Sequence, residues 1–203
     1  MMYNGSMNLP NKLTLFRIIL VPILVLVWLF PYQYFNIQFM SFDFGPVSLS
    51  VLNIIVLAIF CIASFTDFLD GNIARKNNMV TTFGKFMDPI ADKLLVNVTL
   101  IILCSKGIIP VVPVICMLAR DTVVDGCRMI ASNKGVVIAA GILGKTKTVL
   151  QMFAIILSLL NNLPFELIGL PVSTLLIWFA GFVSVLSGYS YFLQVKDYIF
   201  ETM

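Results

Sequence analysis

The chain has 203 residues, of which 60% are hydrophobic and only 11% charged, and its mean hydropathy is +1.00. Soluble domains carry about 25% charged residues, so these proportions exclude a soluble fold, and a net charge of +3 is too slight a bias for a nucleic-acid binder. There is no histidine, which removes histidine-based nucleophile triads, histidine zinc sites and histidine general bases.

A bilayer core takes about 20 apolar residues per helix. Met1–Ser6 read as a short extension ahead of Met7-Asn8-Leu9-Pro10, leaving residues 7–203 as one membrane domain. Six apolar stretches follow, at Leu13–Phe30, Val47–Phe65, Pro89–Cys104, Ile108–Leu118, Thr146–Leu160 and Ile168–Val195. The predicted fold is therefore an all-α integral membrane protein of six transmembrane helices. The first stretch is too long for a cleaved signal peptide, and no A-x-A-like site follows it. The fourth is too short to cross unless its helix continues through Arg120, Asp121, Asp125 and Arg128, which must then face a polar cavity or lie at the membrane rim. The sixth is over-long and carries Ala180, Ser184 and Gly188 at small-xxx-small spacing, a helix-packing stripe. Cys61, Cys104, Cys116 and Cys127 lack C-x-x-C spacing and read as free thiols.

With this topology twelve of the thirteen Lys and Arg residues fall on one side of the membrane and only Lys106 on the other. Basic loops stay in the cytoplasm, so both termini are expected there. The three outer connections, near Phe35–Pro46, Ser105–Gly107 and Asn161–Glu166, carry almost no charge.

Eight of the ten acids share the basic side, and four of them fall between residues 67 and 92. Asp67 and Asp70 are spaced i, i+3 at the end of the second span. Asp88 and Asp92 are spaced i, i+4 at the start of the third, and Pro89 suits a first helical turn. A single aspartate at a helix end is usually a cap or a solvated charge. Four at close range repel unless a cation sits among them, and one or two hard divalent ions, Mg2+ or Mn2+, suit an all-carboxylate donor set. Gly71, Ala74 and Gly84 allow close approach of a bulky ligand, and Arg75 can fork onto a phosphate. Beside a bilayer, that combination describes a site for a phosphorylated lipid. A cation transporter would instead spread its acids through the membrane depth.

The run Asp67-Phe-Leu-Asp70-Gly71-Asn-Ile-Ala74-Arg75, then eight residues, then Gly84-Lys-Phe-Met-Asp88-Pro-Ile-Ala-Asp92 resembles the signature of the CDP-alcohol phosphotransferase family, D-x2-D-G-x2-A-R-x8-G-x3-D-x3-D. All eight fixed positions match. The resemblance implies transfer of a phosphatidyl group from a CDP-linked donor to an alcohol, with release of CMP. It implies that Asp67, Asp70 and Asp88 bind two divalent metal ions, with Asp92 as ligand or general base. It also implies that Asp67, Asp70, Gly71, Ala74, Arg75, Gly84 and Thr81 hold the CDP donor. A homodimer is expected on the same ground.

A second basic cluster comprises Arg120, Arg128, Lys134, Lys145 and Lys147. Lys134 and Lys147 read as topology-setting charges. Arg120 and Arg128 are eight residues apart, within ~80° around a helix, and with Lys145 they can grip an anionic acceptor. Asn11, Thr14 and Arg17, spaced i, i+3, i+6, either line the acceptor side or belong to a capped interfacial helix. Gly144-Lys145-Thr146 is not a P-loop, since residue 139 is alanine and no strand precedes it.

Within the family the chain is most similar to the phosphatidylglycerophosphate synthases. The likeness lies in Met7-Asn8-Leu9-Pro10-Asn11-Lys12-Leu13-Thr14-Leu15-Phe16-Arg17, in Ala119-Arg120-Asp121 with Arg128, and in Gly144-Lys145-Thr146-Lys147-Thr148 with Gln151. Asp121 and Gly126-Cys127 depart from that branch. The resemblance implies CDP-diacylglycerol as donor and sn-glycerol 3-phosphate as acceptor. The setting it implies is a bacterial cytoplasmic membrane, with the site facing the cytoplasm. Serine, inositol phosphate or phosphatidylglycerol are the alternative acceptors.

Overall fold

The structure, a computed structural model, describes residues 8–76, 82–133 and 141–200. Met1–Ser6, Thr81 and Lys134 lie outside them. Six helices run in chain order: α1 Leu9–Leu29, α2 Val51–Lys76, α3 Thr82–Ser105, α4 Val111–Asn133, α5 Ile142–Leu159 and α6 Val172–Phe200. The second residue of α1 is Pro10, which has no N–H to leave unsatisfied in the first turn.

Among the described residues three helices are long and apolar enough to cross a membrane: Asn11–Leu29, Ile142–Leu159 and Val172–Lys196. The others are longer than α1 and α5. α2, α3 and α4 have 26, 24 and 23 residues, and at a rise of 1.5 Å per residue each exceeds ~34 Å. Their apolar runs, such as Val51–Asp67 and Lys93–Ser105, are cut short by the charges at one end. Apolar side chains on the outer faces are left uncovered, as Leu26 at 68% and Ile142 at 83% exposure show. A protein solvated by lipid has no reason to hide them.

The elements depart from expectation in three places. The fold is not wholly helical, because β1 Ser41–Phe44 pairs antiparallel with β2 Val47–Ser50. Gly45 turns the hairpin at φ +62°, where a side chain would be strained, and Pro46 then fixes the next φ. Val47 and Leu49 are buried while Ser48 between them is exposed, so β2 has a strand's alternation. The second helix therefore starts at Val51, not Val47. The third difference is Pro89, which stands in the eighth position of α3 instead of its first turn. A proline inside a membrane helix is tolerated where neighbours satisfy the carbonyl it leaves bare.

The chain divides into two compact units. One comprises residues 1–99 with 159–161, the other 100–158 with 162–203. In the first, α1 packs on α2, and Val21, Leu24 and Trp28 from α1 and Val56, Phe60 and Ala63 from α2 are buried there. Between α1 and the hairpin, Phe30, Tyr32, Phe35 and Phe39 form a chain of ring contacts with centroids 4.7 to 5.3 Å apart. Asn161 Nδ2 donates to the carbonyl of Ser48 at 2.6 Å.

In the second unit α4 packs on α6. The small-residue stripe meets α4 inside one protomer: Ala180 and Ser184 are fully buried. A Cβ on Gly181 would lie 2.7 Å from Cβ of Pro113, and one on Gly188 would lie 3.0 Å from Cγ of Arg120. At the start of α6, Asn162 accepts from the Ser173 N–H at 2.9 Å and donates to Glu166 and to the carbonyl of Leu170, both at 2.7 Å. A buried amide is thereby fully used as a helix cap.

Gly181→Ala should destabilise the protein by ~1–3 kcal/mol, the usual cost of overpacking, because the proline ring opposite has no rotamer to escape into. Gly126→Ala, where nothing lies within 4 Å, should be neutral or slightly stabilising. Thermal unfolding of both variants in detergent checks the contrast.

Candidate active site

Each unit carries its own set of chemistry-bearing residues. In the first, α2 runs unbroken to Lys76, so Asp67, Asp70, Gly71, Ala74 and Arg75 all stand on helical backbone. α3 carries Gly84, Asp88 and Asp92. At these spacings Asp67 and Asp70 share one helix face, as do Asp88 and Asp92. The side chains of Asp70, Ala74, Arg75, Asp88 and Asp92 lie outside the described residues.

Asp67 forms an ion pair with Arg17 of α1. Arg17 is fully buried and Thr14, one turn before it, is 1% exposed, so the face carrying Asn11, Thr14 and Arg17 is turned into the unit rather than to lipid. The expected interfacial, snorkelling role does not fit Arg17. Its guanidinium instead holds the first carboxylate of the signature. Such a partner fixes the orientation of a ligating carboxylate. Four aspartates in a sequence without histidine are residue types that suit a hard divalent cation.

In the second unit α4, α5 and α6 meet around Asp121. α4 is one continuous helix through Arg120, Asp121, Asp125 and Arg128, as the short apolar run required. Asp121 is 7% exposed. One oxygen accepts from Arg120 Nη1 at 2.9 Å and the other from Lys147 Nζ of α5 at 2.7 Å. Arg120 Nη2 also donates to Ser187 Oγ of α6 at 2.5 Å. Gly144 of α5 gives this guanidinium room, because a Cβ there would lie 3.4 Å from Nη2. Arg128 Nη2 donates to the Tyr191 hydroxyl at 2.7 Å. The tyrosine ring faces both arginines, with Cζ of Arg120 5.6 Å and Cζ of Arg128 5.3 Å from its centroid.

Three cations and one carboxylate leave this cluster with an excess of positive charge, and Arg128 presents its guanidinium at an exposed position. That suits an anion with several oxygens, such as a phosphate monoester. The structure brings Arg120 and Arg128 together through Tyr191. Lys145, the other expected acceptor residue, is exposed. Lys147, read from sequence as a topology charge, is 4% exposed and bonded into the cluster. Ser187 and Tyr191 were not singled out. The available signal was their register, because they continue the Ala180–Ser184 stripe along the α6 face that meets α4. Gln151, 1% exposed on α5, lies one turn after Lys147, and its amide nitrogen Nε2 meets no acceptor among the described residues.

The family model described as CDP-alcohol phosphatidyltransferase matches residues 7–186. A Bacillus subtilis (strain 168) protein named CDP-diacylglycerol--glycerol-3-phosphate 3-phosphatidyltransferase is 45% identical over 185 residues, covering 91% of this chain and 93% of its own. A protein of the same name from Rickettsia bellii (strain RML369-C) is 39% identical over 192 residues, covering 94% and 97%. One from Mycoplasma genitalium is 42% identical over 120 residues, covering 58% and 51%.

Asp121→Ala removes the carboxylate to which both Arg120 of α4 and Lys147 of α5 donate. It should cost ~3–5 kcal/mol, as breaking a buried ion pair does. Asp121→Asn combined with Lys147→Met removes one charge of each sign and should recover most of that loss. Chemical unfolding of the single and double variants in detergent tests the difference.

Proposed function

The chain belongs to the CDP-alcohol phosphatidyltransferase family, and on that premise we propose that it transfers the phosphatidyl group of CDP-diacylglycerol to sn-glycerol 3-phosphate, giving phosphatidylglycerophosphate and CMP. The full-length likeness to relatives named for that reaction supports this reading. The observation that carries the acceptor half is the cluster in which Arg120 and Lys147 share the Asp121 carboxylate and Arg128 is joined to it through Tyr191.

The protein is an integral membrane enzyme of phospholipid biosynthesis. We read it as a single domain of six spans with both termini in the cytoplasm, a homodimer in a bacterial cytoplasmic membrane. The lengths of α2, α3 and α4 and the one-sided Lys and Arg distribution support the six spans and their orientation.

In this reading Asp67, Asp70, Asp88 and Asp92 would hold one or two divalent cations, Mg2+ or Mn2+, which neutralise the diphosphate and its CMP leaving group. Arg17 keeps the Asp67 carboxylate oriented. Gly71, Ala74 and Gly84 leave room for the donor's diphosphate and cytidine, Arg75 binds a phosphate oxygen, and Thr81 completes the donor side. The acceptor phosphate is gripped by Arg120, Arg128 and Lys145, with Asn11 and Thr14 at its approach. Asp92 takes the proton of the acceptor hydroxyl as its oxygen attacks the phosphorus in line. The new P–O bond forms as the bond to CMP breaks, and the pair of electrons leaves with CMP. With no histidine or activated serine in the donor set, direct displacement is the simplest course.

Purified protein supplied with CDP-diacylglycerol should release CMP with sn-glycerol 3-phosphate, and not with serine, inositol phosphate or phosphatidylglycerol. Activity with one of those instead would overturn the acceptor while leaving the family untouched. Chelation should abolish CMP release, and Mg2+ or Mn2+ should restore it. Asp92→Asn should abolish turnover with donor binding retained, and surviving turnover would reject its role as base.

A further inference from the structure

Tyr191 stands outside every motif of the signature and beyond residue 186, where the match to the family ends. It is nevertheless 2% exposed and touches both arginines of α4. We infer that Tyr191 is a positioning residue of the acceptor-phosphate subsite, presetting the Arg128 guanidinium for a phosphate monoester. This rests on the reading that Arg120 and Arg128 bind the acceptor.

The two arginines are held differently. Arg120 is fixed from three sides, by Asp121, by Ser187 and by the tyrosine ring. Arg128 is exposed, and its one described polar partner is the Tyr191 hydroxyl, with the same ring 5.3 Å from its Cζ. No carboxylate is bonded to it among the described residues. A long exposed side chain loses rotamer freedom when it grips a ligand, and like charges close together drive it away from its neighbour. The electron-rich ring attracts both guanidiniums at once. The hydroxyl takes one of the five N–H donors of Arg128, leaving the rest of the fork for ligand oxygens. The ordering cost is thus met before the ligand arrives.

Position on the helix agrees. Ser187 and Tyr191 are spaced i, i+4 on α6, so the serine that holds Arg120 and the tyrosine that holds Arg128 stand on one face. On α4 the two arginines lie about two turns apart on one side. Gly188, between Ser187 and Tyr191, lets the α6 backbone come within 3.0 Å, measured from an ideal Cβ, of the Arg120 stem.

Steady-state CMP release, measured while sn-glycerol 3-phosphate and CDP-diacylglycerol are varied in turn, separates the possibilities. Tyr191→Phe keeps the ring and loses the hydroxyl, and should raise KM for glycerol 3-phosphate ~5-fold. Tyr191→Leu loses both and should raise it ~20-fold or more. In both variants KM for CDP-diacylglycerol should stay within about twofold of the parent, and kcat should change far less than the acceptor KM. A purely structural tyrosine would lower kcat or yield without that selective KM effect, and this result overturns the inference. Should Tyr191→Leu not fold, Tyr191→Phe decides alone, because it preserves the packing volume. Arg128→Ala distinguishes the two levels. If it leaves the acceptor KM unchanged, the acceptor subsite itself is misplaced. If it raises KM while the Tyr191 variants do not, only the role of Tyr191 falls.

Discussion

The carboxylate of Asp121 accepts from a guanidinium on its own helix and from an ammonium on the next, and much of the second unit depends on that arrangement. α4 has too few apolar residues to be held by lipid alone, and its charged half stays helical because the charges find partners within the protein. Desolvating an arginine, a lysine and an aspartate separately would cost several kcal/mol each. Meeting at one carboxylate, and extended by Ser187 and Tyr191, they tie α4, α5 and α6 at a single level. The same device recurs in the first unit, where Arg17 and Asp67 tie α1 to α2. In each unit a helix that must carry charge is fastened to a more apolar one.

The two places differ in what surplus they leave. On the proposed reading the four aspartates of the signature take up divalent cations and, through them, the donor's diphosphate. Around Asp121 the excess is positive, which fits a free phosphate group. A two-substrate transfer needs that division, since a donor diphosphate and an acceptor phosphate repel each other in water. On the proposed reading each is met by its own counter-charge.

What could be read from the chain beforehand followed from spacing. Eight fixed positions between residues 67 and 92 imply a carboxylate site because the residue types and helical periods are local facts. The six helices were legible for the same reason, from apolar runs of the right length. Lys145 and Lys147 show where local reasoning stops. They are two residues apart, carry the same charge, and differ only in which side of α5 meets α4, which no local pattern states. The hairpin does carry a local signal, since Ser41-Phe-Asp-Phe-Gly45-Pro46-Val-Ser-Leu-Ser50 alternates polar and apolar residues across a turn. In a chain this hydrophobic, its second half merged into the adjoining helical run. Pro89 misled in the opposite direction, as prolines usually mark helix starts and here α3 begins two turns earlier.

The contact between Gly181 and Pro113 has a mechanical meaning beyond its packing. A glycine against a proline ring is a stiff fulcrum, since neither residue has a rotatable side chain to absorb a displacement. From Gly181 to Tyr191 is ten residues, an arm of ~15 Å along α6. A tilt of ~5° at the fulcrum therefore moves the far end by ~1.3 Å at that arm length, enough to break a 2.7 Å bond between Arg128 and Tyr191. The thickness of one glycine thus bears on the alignment of the Arg128–Tyr191 pair almost three turns away.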